Sequence, residues 1–211
     1  AVLPFLNLTG QPDLEYFSDG LTDEIISTLT SVRGLRVPAR SSAFQFKGRA
    51  FDMREVGRVL NVSAVLEGTV RQSAGRFKVT AQLNSVSDGY CIWSDSYSRS
   101  GEDVLALQSD IATAILQSLK LSAAIPARQP ANPRAYELYL KGRYFWNQRP
   151  VGIDRAMDYL GRALKEDRDY ALAHVGLDES TEALLTEVTD ARVANSARIT
   201  RPTALLVDKS S

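Results

Sequence analysis

Cysteine and histidine are nearly absent from this chain: Cys91 and His174 are the single examples of each among 211 residues. One cysteine excludes an intrachain disulfide. One histidine excludes most histidine-based metal and acid–base sites. No run approaches the ~20 apolar residues that a membrane helix requires, and no signal-peptide pattern is present. Neither GxxxxGKS/T nor GxGxxG occurs, so the usual glycine-rich phosphate loops are missing. Charge of one sign is not in excess. The 25 basic and 25 acidic residues cancel, which leaves no whole-chain electrostatic case for nucleic acid or an anionic membrane. What remains is an ordinary globular composition, in a chain long enough to bury about 70% of its unfolded surface without disulfide or metal.

The first forty residues read as a β-α-β unit. Ala1, Val2, Leu3 and Phe5 form a short apolar run, and residues 7–13 are turn-rich. Leu21, Ile25, Leu29 and Val32, with Ile26 beside them, predict a helix over residues 21–32 with one apolar face. Ser18 or Asp19 would cap that helix, Asp23 and Glu24 suit its positive end, and Gly34 would stop it. Residues 35–40 read as the second strand. A short turn or helix follows over residues 41–46. Asp52 and Glu55 then have capping-box spacing for a helix that ends near residue 61, with Phe51 placed to staple onto Val56.

Residues 64–71, 77–84 and 90–97 predict three strands. Two of them alternate cleanly: Ala64, Leu66, Gly68 and Val70 on one face, then Phe77, Val79, Ala81 and Leu83. Residues 73–75 and the Asp88-Gly89 pair are the connecting turns. A helix over residues 103–119 carries the stripe Val104, Leu107, Ile111, Ile115 and Leu119. Residues 122–133 hold three prolines and little bulky apolar mass, and read as a linker. From residue 134 the pattern is helical, with helices over 135–148 and 153–165 and a third starting near Tyr170. Residues 179–211 match no continuation and read as a tail or a divergent repeat.

Four groups of side chains are candidates for chemistry. Arg40, Ser41, Ser42 and Lys47 lie at the end of the predicted second strand, where α/β sheets often bind ligands, and offer an anion site. Ordinary capping is the alternative. Asp19, Asp23 and Glu24 offer a carboxylate site, with capping and dipole compensation as the simpler account. Glu67, Arg71, Lys78, Thr80 and Gln82 make a polar sheet face, explained by cross-strand charge pairing or by partner docking through Arg71 and Lys78. Tyr136, Tyr139, Tyr144, Phe145 and Trp146 crowd one helix. Most of these would be core, with Tyr139 and Trp146 as candidate contacts to a partner. Cys91 and Trp93 share a strand side and would pack, and His174 has no second histidine to share a metal. No catalytic residue, metal site or cofactor is expected.

The ordered series AVLPF, YFSDGLTDEIISTL, LRVPARSSAFQFKG, VLEGTVRQSAGRFKVTAQL, GYCIW and LALQSDIATAI resembles the TolB-like N-terminal module of bacterial multidomain signalling proteins. The resemblance covers residues 1–121. Residues 134–178 resemble a tetratricopeptide repeat, with Gly142 at the small position of the first helix and Ala156, Leu160 and Ala163 at the packing positions of the second. Arg168 stands where proline is usual, and Asp178 where the next small residue would fall. The resemblance implies an α/β (α+β, mixed-sheet) domain followed by an α-helical hairpin. It implies a non-catalytic sensory or protein-interaction region of a bacterial signalling or transcription-regulatory protein. The output domain would be a winged-helix domain, a kinase or a class III nucleotide cyclase outside this chain. Alternatives are a regulatory part of such a cyclase, or a sensor of small anionic ligands. A protein partner or self-association is expected, with no nucleic acid binding or membrane insertion by this segment. The chain would sit in the bacterial cytoplasm or on the periplasmic side of an inner-membrane protein. Its start on an apparent strand suggests a piece of something longer.

Overall fold

A computed structural model describes residues 1–100, 107–119 and 132–199. In chain order the elements are β1 (Leu6–Asn7), α1 (Glu15–Thr30), α2 (Arg40–Phe44), α3 (Met53–Leu60), β2 (Ala64–Ser73), β3 (Arg76–Ser85), β4 (Cys91–Ser100), α4 (Leu107–Ser118), α5 (Pro133–Trp146), α6 (Ile153–Glu166) and α7 (Ala171–Ile199). The architecture is mixed α/β with a helical region after it. The sheet has the order β1-β2-β3-β4. β1 runs parallel to β2, while β2–β3 and β3–β4 are antiparallel hairpins.

The parallel pair differs from the expected β-α-β unit. Residues 1–8 run along β2, through a Val2–Leu66 bridge and the amides of Leu3 and Leu8, which donate to the carbonyls of Leu66 and Val70. Pro4 has no N–H, so it interrupts this ladder at the sheet edge, where proline is tolerated. Residues 35–39 are not a strand, and among the described residues no strand pairs with them. Pro38 removes a ladder donor there. Leu35 and Val37 are instead half-buried against the core, and α2 begins at the next turn.

α1 begins six residues earlier than the capping signals suggest. A 3-10 turn over Pro12–Leu14 leads into it, and Ser18, Asp19 and Gly20 lie inside the helix. Ser, Asp and Gly are weak helix formers, but tertiary packing overrides propensity here. Ser18 is fully buried, and Thr22 Oγ1 donates to the Ser18 carbonyl while accepting the Phe5 N–H. A Cβ on Gly20 would sit 2.7 Å from Leu140 Cδ2, so only glycine lets α5 approach this closely. The predicted cap of α3 does form: Asp52 Oδ1 accepts the Arg54 N–H, and Asn61 ends the helix in a left-handed conformation.

Leu66 and Val65 are neighbours on β2, so they face opposite sides of the sheet. Leu66 joins the large core, which also contains Leu21 and Ile25 of α1, Ile111 and Ile115 of α4, and Leu138 and Leu140 of α5. That core is continuous from the sheet into the hairpin. Val65 joins a smaller cluster on the other face, with Leu3, Val56 and the half-buried Phe46 and Phe51. This second cluster covers only part of that face.

The helical region is an antiparallel hairpin, α5–α6, with α7 packed on it. Leu160 fits against Gly142, where a Cβ would meet Leu160 Cγ at 2.6 Å, and Ala156 and Ala163 are fully buried. On α7, Ala173 and Ser180 are buried and Gly176 abuts Leu160. Small residues therefore do line α7, with Gly176 and Ser180 two residues to either side of Asp178. α7 continues without a break to Ile199, into the stretch that matches no continuation in the sequence. The expected helix residues 103–106, most of the linker at 122–133, and the tail at 200–211 lie outside the described residues.

Candidate functional site

Two neighbouring sites share one loop, residues 45–52, and they treat charge in opposite ways. The first is a seam on α1. Glu15, Asp19 and Asp23 recur every four residues, so they share one helix face, where like charges repel. Lys47 Nζ bridges two of them, at 2.7 Å from Glu15 and 2.6 Å from Asp19. Arg40 Nε lies 3.2 Å from Asp23, and its guanidinium stacks over the Phe44 ring at 3.5 Å. From the hairpin, Arg143 adds positive charge near Asp23, with Asn147 close by. The next acid, Glu24, lies near the Tyr139 hydroxyl.

Burial sets the protonation of this seam. It raises Asp19 and Asp23 above the ordinary carboxylate value, and the nearby cations offset only part of that rise. It lowers Arg40, against the pull of Asp23 and Asp19. Burial alone would lower Lys47, but hydrogen bonds to Asp19 and Glu15 carry it above its usual value. Burial, with Glu24 adjacent, raises the Tyr139 phenol well above its usual range.

The seam changes several sequence expectations. Asp19, Asp23 and Glu24 are not caps, because the helix start lies at Glu15 and these residues are interior, facing α2, Lys47 and α5. Arg40 and Lys47 face these acids. α2 spans only five residues, and its N-cap, Ala39, offers no side-chain hydrogen bond. Ser41 is exposed and Ser42 half-buried. The structure thus brings Arg40 and Lys47 together with carboxylates, and does not aim them jointly with Ser41 and Ser42 at one point. Tyr139 is 6% exposed and packs edge-on against Tyr170 at 5.3 Å, so it is a core residue and no partner contact. Trp146 is half-buried, with the Arg149 guanidinium over its ring at 4.1 Å.

The second site is a cleft of about 520 Å³ on the less-covered face of the sheet. Its floor is β2 and β3, with Thr69, Arg71, Lys78 and Thr80. Its wall is the 46–51 loop, with Phe46, Arg49 and Phe51. The two phenylalanine rings meet edge-on at 6.0 Å. The strand register overturns the expected cross-strand charge pairing here. Arg71 stands opposite Lys78, a like-charge pair, and Glu67 stands opposite Gln82. Glu67 takes a hydrogen bond from Asn84 Nδ2 at 2.9 Å. Arg49, the third exposed cation, was not among the sequence candidates, because nothing local in KGR signals which face the loop will wall.

A third cavity, of about 500 Å³, lies between the start of α1 and the hairpin, lined by Tyr16, Tyr144, Phe145 and Tyr159 with Lys141 and Arg155. Phe145 and Tyr159 stack in parallel at 5.5 Å. Cys91 is exposed, not packed. A β-bulge explains it: Leu83 pairs Trp93 and Asn84 pairs Cys91, so Ile92 is the extra residue and the strand side changes there. His174 Nε2 lies 2.8 Å from the Arg168 carbonyl. Among the described residues, no group of His, Cys, Asp and Glu has metal-holding geometry, and no helix is long and apolar enough to cross a membrane.

No family model matches the chain. It is 39% identical over 184 residues to "Putative adenylate cyclase 3" of Rhizobium meliloti (strain 1021), a match that covers 84% of this chain but 31% of that protein. The chain therefore spans about a third of the length of this relative. Among solved structures, lipoprotein GNA1162 from Neisseria meningitidis matches with a TM-score of 0.41 at 20% identity, covering 58% of this chain and 96% of that one. TolB from Acinetobacter baumannii matches with a TM-score of 0.35 at 19% identity, covering 56% and 27%. LpoB of E. coli matches with a TM-score of 0.38 at 17% identity, covering 47% and 54%.

Proposed function

We propose that this chain is a non-catalytic accessory region of a bacterial signalling protein, working through contact with a protein partner or another copy of its parent. The observation that carries this reading is where its polar chemistry goes. The carboxylates of α1 that catalysis would need free are paired with Lys47 and Arg40 or lie near Tyr139, and they hold α2 and the hairpin onto the α/β layer. The relative named as a cyclase supports the same reading, since this chain corresponds to one region of a much longer protein. A TolB-like module followed by a tetratricopeptide-like hairpin is the finer description. The aromatic cavity beside Tyr144, Phe145 and Tyr159 suits a protein contact, because aromatic anchors dominate interface energetics.

The test uses the intact parent protein. Cross-linking should recover a partner or a second copy through this region, and Tyr144→Ala with Tyr159→Ala should weaken that capture. Deleting the region should change the parent's regulated output. An unchanged output on deletion would refute the proposal. The purified chain should show no turnover of ATP with Mg²⁺ or Mn²⁺, and measurable cyclisation would refute the non-catalytic part.

A further inference from the structure

The cleft on the sheet carries cations that the fold does not use. Of its charged groups, Lys47 is committed to Asp19 and Glu15, and Glu67 is engaged by Asn84. Arg49, Arg71 and Lys78 have no acidic partner among the described residues. Exposed cations by themselves need none. Here, however, the register sets Arg71 and Lys78 directly opposite each other, an arrangement that costs stability unless something anionic lies between. The hollow is also walled on one side by apolar groups, which exclude water and concentrate the positive field. Phe46 and Phe51 form that wall, and Leu6, 52% exposed, lies at the β1 end. Its volume of about 520 Å³ falls in the range of small-molecule sites.

We propose that this cleft binds a small organic anion, with its carboxylate or phosphate held by Arg71, Lys78 and Arg49 and its apolar body against Phe46, Phe51 and Leu6. Thr69 and Thr80, opposite each other on the floor, supply hydroxyls to the same head group. The proposal goes beyond the protein-contact role above and does not depend on it. It also moves the anion site away from Arg40, Ser41 and Ser42, to the far side of the same loop.

The test is calorimetric titration of the chain with phenyl phosphate and with benzoate, which separate phosphate from carboxylate. Inorganic phosphate and neutral benzyl alcohol serve as controls. At least one aromatic anion should bind saturably. Inorganic phosphate should bind about tenfold more weakly or worse, and benzyl alcohol should not saturate. Lys78→Glu should reduce binding of the aromatic anion at least about tenfold, since it turns a charge-assisted contact into a repulsive one. Arg71→Ala provides a second, uncharged variant with the same expected loss. Amide shift changes should fall on residues 46–51 and 69–80. Absence of saturation by both anions up to about 10 mM, or equal binding by the parent and both variants, would overturn the proposal.

Discussion

Lys47 and Arg49 stand two residues apart on one loop and lead opposite lives. Lys47 turns toward α1 and closes a ring with Glu15 and Asp19, the latter only 7% exposed at its side chain. Arg49 lines the sheet cleft with Arg71 and Lys78 and, among the described residues, has no acidic partner. The comparison teaches that charge inside this fold is spent where two layers meet, while charge on the open face is left in surplus. A pair that holds layers together is costly to break from one side, because the remaining ion is stranded away from water. A surplus cation is cheap to remove and informative about ligands.

Four experiments bear on that contrast, and the largest effect is expected where α5 packs on α1. Leu140→Ala empties the contact between α5 and Gly20 and should cost about 2–5 kcal/mol in chemical denaturation. A smaller loss would mean the hairpin is not braced by α1. Lys47→Ala leaves Asp19 buried without its cation. Because Lys47 is about a third exposed, water relieves part of that penalty, and the expected loss is about 1–3 kcal/mol. Arg49→Ala should stay within about 0.5 kcal/mol of the parent, and equal losses at the two positions would erase the distinction.

The third experiment uses pH. Asp19 and Asp23 hold protons more tightly folded than unfolded, so their contribution to stability is present below the unfolded value of 3.8 and is lost as pH rises through the folded values. Acidifying from about pH 7 to about pH 4 should therefore help the parent more than an Asp19→Asn, Asp23→Asn double variant. Parallel thermal-melting profiles for the two proteins would contradict this. The smallest effect is expected on the open face. Lys78→Glu places an acid opposite Arg71 and should stabilise the chain by about 0.2–1 kcal/mol. Destabilisation there would show that Lys78 has a structural partner after all.

Much of the architecture was legible in the residues. The two-residue period of β2 and β3 and the cap at Asp52 rest on local rules, and both are present. The departures have separate causes. The start of α1 lies earlier than expected because Ser18, Asp19 and Gly20 are poor helix formers by themselves, and their partners are distant: Lys47 lies 28 positions from Asp19 and Leu140 lies 120 from Gly20. Had the helix been extended back to Glu15, the spacing of Glu15, Asp19 and Asp23 would have announced a charged stripe. The like-charge pair of Arg71 and Lys78 was hidden for a different reason. Alternation assigns a face, but only the turn at Ala74 and Gly75, with φ of 48° and 73°, sets which residues stand opposite. The side change at Cys91 needs a bulge that no local residue type signals.

α1 buries ten of its sixteen residues, far more than one amphipathic stripe would require. It has the sheet and α4 on one side, α2 and Lys47 on another and α5 on a third. A helix enclosed in this way has few positions where a change is felt by one neighbour alone. Gly20 cannot gain a methyl group without moving the hairpin, and Asp19 cannot change without freeing the loop. The stretch from the first strand to the hairpin is then held as one packed unit. A cut between α4 and α5 should leave a fragment that self-associates through the bared face of α1, seen as a concentration-dependent mass in sedimentation.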